Sequence, residues 1–173
     1  MPGATPETKL VLIPNITHRA IPRLFDCMAV ITNRRFLFVR TGVFTAEGLG
    51  FDAAKALSGG MGPPSPIDYV NEPPDALAAR EGALSIPFEA VSAIVLKKPS
   101  WDSEAFLQIE YRDAQGGAKK FIGILAPTAD QLKNGKREGR KAKEVRALIA
   151  RAVQDVLRQH LPPPLVAEAK WEA

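Results

Sequence analysis

Cysteine and histidine are almost missing from this sequence: its 173 residues hold one cysteine, Cys27, and two histidines, His18 and His160. A lone thiol forms no internal disulfide, and no CxxC or clustered Cys/His spacing offers a zinc site, so no metal is expected. Nucleophilic cysteines need an activating base. Neither histidine is near Cys27 in the sequence, which reads as a buried structural thiol. Long apolar runs are lacking too, since none approaches the ~18 residues of a membrane-spanning helix. The N-terminal stretch MPGATPETK has neither the basic start nor the apolar core of a signal peptide, making a cytoplasmic protein the default expectation. Acidic neighbours such as Asp102 and Glu104 fall in a turn with no partner placed opposite them, so general acid–base catalysis is unsupported. No catalytic residue and no cofactor is expected.

What remains is an ordinary folded composition, 46% hydrophobic and 24% charged, with a net charge of +4. The length suits one domain able to bury a core without staples. A first strand is expected over 9–13, ended by Pro14 because proline removes a ladder donor. The following stretch, 16–26, reads as a loop carrying His18, Arg19 and Arg23. Two runs rich in β-branched and aromatic residues then flank Thr32, Asn33, Arg34 and Arg35, the pattern of a β-hairpin. Glycine and proline crowd the next forty residues, which are expected to form an insertion at 42–83 with helical turns at 51–57 and 75–80, the second capped by Asp75. Regular strands return at 85–88, 91–98, 104–112 and 119–125; Leu107, Ile109 and Tyr111 alternate with Gln108 and Glu110, as in a half-buried strand.

Thr128 and Gln131 fit a capping box that opens a helix. Gly135 and Gly139 weaken its first turns, and from about Arg140 a wide apolar stripe (Val145, Leu148, Ile149, Ala152, Val153, Val156, Leu157) continues until Pro162. Residues 162–173 read as a proline-rich tail, the plain expectation being a helix stop and a frayed terminus. Seven short strands followed by one amphipathic helix predict a mainly β (α+β) fold, an antiparallel barrel closed by the C-terminal helix, because a twisted sheet of this size curls and leaves an open end.

The run VITNRRFLF at 30–38 and the run IPFEAVSAI at 86–94 resemble strand segments of the pleckstrin-homology-like (PH-like) superfamily, nearest to its bacterial PH and GRAM-type members. With the closing helix the resemblance covers 8–41 and 84–161, so that 1–161 is expected to be a single PH-like domain. It implies a non-enzymatic scaffold that binds lipids, peptides or proteins. The tight basic spacing across the first two strands that phosphoinositide-binding relatives use is not present: Lys9, Arg19 and Arg23 stand there, with Ala20 and Ile21 between.

Two binding surfaces compete. The first is a protein-docking surface at a sheet edge, the insertion or both; open edges also leave room for homo-oligomerisation. The second is peripheral attachment to an anionic membrane through the basic start of the helix (Lys136, Arg137, Arg140, Lys141) together with Lys97, Lys98 and Trp101. Residues 133–146 carry seven basic side chains against two acidic ones. At about 1 kcal/mol per basic residue near an anionic bilayer this run supplies only weak binding without a second contact. A solvated helix face accounts for the same pattern. Trp101 equally fits a ring packed over the barrel end, and nucleic acid is not an expected partner.

Overall fold

The computed structural model describes residues 5–20, 23–41, 67–100 and 103–173. The fold is mainly β, one eight-stranded sheet in the order β4-β3-β2-β1-β7-β6-β5-β8 with helices after β7. The strands are β1 Lys9–Ala20, β2 Arg23–Thr32, β3 Arg35–Arg40, β4 Leu84–Pro87, β5 Val91–Lys97, β6 Ala105–Arg112, β7 Ala118–Leu125 and β8 Lys170–Trp171. The helices are α1 Pro74–Ala78, α2 Ala129–Arg137, α3 Ala142–His160 and α4 Pro163–Glu168.

The β2–β3 hairpin forms where its pattern predicts, with the Thr32 hydroxyl accepting the Arg34 and Arg35 amides at 3.0 Å to hold the turn. Pro14, by contrast, does not end β1. Ile13 pairs with Ala29 and Ile16 with Cys27, so β1 carries one residue more than β2 across this step. Pro14 and Asn15 occupy that β-bulge, where no ladder donor is needed and Asn15 takes φ of 60°. The expected loop over 16–26 is instead the far half of a long hairpin, with Thr17 opposite Asp26 and His18 opposite Phe25.

Alternation places Phe36 and Phe38 of β3, Ile94 and Leu96 of β5, Leu107 and Ile109 of β6 and Phe121 of β7 in one core. The sheet bends until its two halves face each other across these side chains. Ala150, Val153 and Leu157 of α3 complete the same cluster. The expected single C-terminal helix is two: Gly139 at φ +75° reverses the chain, the Arg140 amide donates to the Gly135 carbonyl at 2.8 Å, and the Gly139 amide donates to Lys136. That is a Schellman stop, which a glycine makes without steric cost. The capping box at Thr128 and Gln131 is present.

Part of the glycine- and proline-rich stretch packs on the outer face of the sheet rather than building a core of its own. Leu77 of α1 is fully buried against Val30, Leu37 and Val39, with Ile67 and Tyr69 alongside. The Lys9 ammonium fastens it, donating to the carbonyls of Tyr69 (2.8 Å), Val70 (2.5 Å) and Glu72 (2.6 Å). Asp75 does not cap α1, whose N-cap is Pro73; its carboxylate faces Arg35 at 2.5 Å instead. The helical turn expected at 51–57 lies outside the described residues.

The tail is not frayed. After Pro162 it forms α4 and then β8, which lies parallel to β5 with Val95 opposite Lys170 and Leu96 opposite Trp171. No helix among the described residues is long and apolar enough to cross a membrane.

Candidate protein-docking surface

The ladder between β1 and β7 is short, with Thr17 opposite Ile124 and His18 opposite Gly123. Because β7 ends at Leu125 and the chain departs into α2, the first half of β1 faces α3 across a gap instead of another strand. The gap is a cleft of about 230 Å³. Ile13 and Pro14 form one wall, Leu125 the floor, and Ile149, Ala152 and Val156 of α3 the other wall. These three α3 residues recur at i, i+3 and i+7, so they share one helical stripe. Leu148, one turn before Ala152 on the same helix, stays 43% exposed beside this stripe.

Two polar side chains line the cleft, Asn15 and Gln131. The Gln131 side-chain oxygen already accepts the Thr128 amide at 2.8 Å. The strand edge is a poor template for an added strand: Pro14 has no N–H, and the bulge at Asn15 twists the backbone out of line. Such a cleft accepts apolar side chains. It offers little to orient a polar substrate and no paired acid and base to act on one.

Antiparallel pairing brings His18 close to Cys27, a proximity that their spacing in the sequence conceals. Burial nonetheless pushes the Cys27 thiol up to about 11, only partly offset by the His18 backbone amide and the Arg40 charge. The His18 imidazole lies against Phe121, ring centroids 4.7 Å apart, and burial, with Arg40 nearby, lowers its pKa. The pair is a protonated thiol beside a main-chain amide, without the geometry of a nucleophile and its base.

The basic residues read from the sequence fall into two groups. Lys97 ends β5 with its ammonium 5.6 Å above the Phe106 ring, and Lys98 is exposed just beyond it. Trp101 lies outside the described residues. Lys136 and Arg137 fill the last turn of α2, where cations suit the helix dipole. Arg140 pairs with Glu138 at 2.6 Å, and Lys141 immediately precedes α3, its amide donating to Glu144 at 3.0 Å. Arg146 of α3 meets Glu104, just before β6, at 2.7 Å, and Lys97 is paired with Phe106 near the same start of β6, so the two groups lie towards one end of the sheet. Their charge is diluted there by Glu138, Glu144 and Glu104.

The strand carrying Leu12 and Ile13 was legible over 9–13, but its continuation through Pro14 and Asn15, and the cleft beside it, were not. One signal was available: the apolar stripe of α3 is wider than packing on one core requires, and its surplus members, Leu148 and Ala152, are the exposed ones. No protein-family model matches this sequence, and no curated protein matches it significantly.

Proposed function

We propose that this chain is a non-enzymatic PH-like binding module that docks a protein partner by seating apolar side chains of that partner in the cleft between β1 and α3. The PH-like reading is supported by the hairpin run at 30–38, by a strongly bent antiparallel sheet whose halves meet at Phe38 and Phe121, and by the long helix that follows β7. A curled barrel of this kind, closed by α3, leaves its binding surfaces at edges and helix seams.

The observation that carries the docking surface is the apolar, solvent-open cleft beside exposed Leu148. A protein segment fits it better than a small polar ligand, since the lining is mainly apolar and its polar side chains are those of Asn15 and Gln131 alone. Leu148→Asp and Ala152→Glu alter exposed positions, so each is expected to change stability by only about 0.5 kcal/mol. Both are expected to abolish partner co-purification with the tagged full-length chain, whereas Lys136→Glu with Arg137→Glu leaves it unchanged. The opposite pattern overturns the cleft.

A second reading, peripheral binding to an anionic membrane, is favoured by one observation: Lys97, Lys98 and the basic α2–α3 turn lie towards the same end of the sheet. Co-sedimentation with neutral and anionic vesicles at low and physiological salt tests it. Binding to anionic vesicles alone, weakened by salt, selects this reading; no binding retires it.

A further inference from the structure

The last twelve residues form a self-contained element whose contacts with the rest of the chain are few and share one hinge. Leu161 closes α3, its amide donating to Leu157 at 2.9 Å. Pro162, Pro163 and Pro164 follow, and none of them has an N–H to bond to anything. Beyond them Leu165, Val166, Ala169, Trp171 and Ala173 lean on the core, each only partly buried. β8 is two residues long and is the one parallel strand described. The Glu172 amide donates to the Leu96 carbonyl at 2.9 Å, and the Ala173 amide to Gln154 Oε1 at 3.3 Å. The Trp171 indole donates to Val166 at 3.1 Å, a bond internal to the tail, and the Arg158 guanidinium lies 5.6 Å above its ring.

We infer that the edge of β5 is an interface between copies of this chain, occupied by the 162–173 tail of a second copy in a reciprocal exchange. The occupant is defined by the seat, because a second copy's tail makes the same strand rung, the same indole packing and the same contact with Gln154. Release costs little locally. The main-chain bond that Pro162 accepts, from the Val166 amide at 3.1 Å, lies within the tail and travels with it, no tail side chain is fully buried, and elements with few buried contacts open well below the global unfolding free energy. Exchange of an identical element between protomers closes a two-fold dimer without a new binding surface. The tether holds the chain's own tail at an effective concentration on the order of millimolar. Exchange therefore becomes appreciable as the protein approaches that range, and monomer dominates well below it. This interface is separate from the β1–α3 cleft and stands or falls without it.

Val95 and Lys170 are opposite each other across this rung and supply the test. In a Cys27→Ala background, full-length Val95→Cys and full-length Lys170→Cys, one carrying a size tag, are mixed, incubated at rising concentration and oxidised. The expected result is a mixed disulfide whose yield grows with total concentration and exceeds that of a control pair, Val95→Cys with Lys143→Cys. The Val95→Cys/Lys170→Cys double variant is expected to close within one chain when dilute. A mixed product no more abundant than the control overturns the exchange. Failure of the dilute double variant to close removes the tail from β5 and overturns it as well.

Discussion

Phe38 and Phe121 stack with ring centroids 3.7 Å apart and planes 20° from parallel, although β2 and β1 separate their strands in the sheet. Residues so far apart on a flat sheet never meet. Their contact measures how far this sheet bends, and it ties the hairpin half to the β5–β7 half. Truncating either ring is expected to cost about 3–5 kcal/mol in urea unfolding. The double-mutant cycle should return a favourable coupling of roughly 0.5–1.5 kcal/mol. Additive losses would mean that the two rings stabilise separate cores.

Arg35 shows how burial ranks two ion pairs on one guanidinium. Its partners are Glu7 at 2.7 Å, with 12% of that side chain exposed, and Asp75 at 2.5 Å, with 90% exposed. Glu7→Gln leaves a mostly buried guanidinium half satisfied and is expected to cost about 1.5–3 kcal/mol. Asp75→Asn removes a solvated pair and is expected to cost at most about 0.5 kcal/mol. Equal losses in chemical denaturation would contradict this ranking.

Two groups make stability fall on acidification, in different windows. The His18 pKa is lowered, by burial first and by Arg40 second. The folded state therefore resists the proton that the unfolded chain accepts, and stability is lost as pH falls below about 6.5 toward the folded value. Burial alone would raise the Glu7 carboxyl, but hydrogen bonds from Arg35 and Thr32 outweigh it and hold the pKa down. Its contribution is present above about 4.3 and is lost as pH falls through the folded value. His18→Phe should flatten the decline between about pH 7 and 5 and leave the Glu7 window intact. An unchanged slope there would show that His18 is protonated without cost.

Gly135 and Gly139 are needed for different reasons. Gly139 takes φ +75° with open space around it, so Gly139→Ala is expected to cost about 1–2 kcal/mol from backbone strain alone. A Cβ on Gly135 would lie 2.3 Å from Val145 Cγ2, where α2 meets α3. Gly135→Ala is expected to cost about 1–3 kcal/mol by overpacking. Adding Val145→Ala should recover part of that loss, and no such rescue should follow at Gly139. Thermal unfolding of the four variants separates the cases.

Features written within a few residues were legible in the sequence: the Thr32–Arg35 turn, the alternation of β6 and the Thr128–Gln131 cap. Features made by distant partners were not. Pro14 normally stops a strand, and only the extra residue of a bulge lets β1 continue. Lys9 gives no hint in the sequence that it will hold carbonyls sixty residues away. Trp171 joins β5 only because α3 carries the chain back across the sheet. The basic run was conspicuous, yet part of its charge is spent on Glu138 and Glu104. The cleft depends on where β7 ends relative to β1, which no local pattern states.

The central claim, that the β1–α3 cleft is a protein-docking site, is tested most directly by photocrosslinking in the native host. A benzophenone side chain replaces Leu148 at the cleft rim, and in a control chain it replaces exposed Arg112. A discrete protein adduct from position 148, absent from position 112 and lost when Ala152→Glu is added, is the predicted result. No adduct at 148, or the same adducts from both positions, would contradict the account.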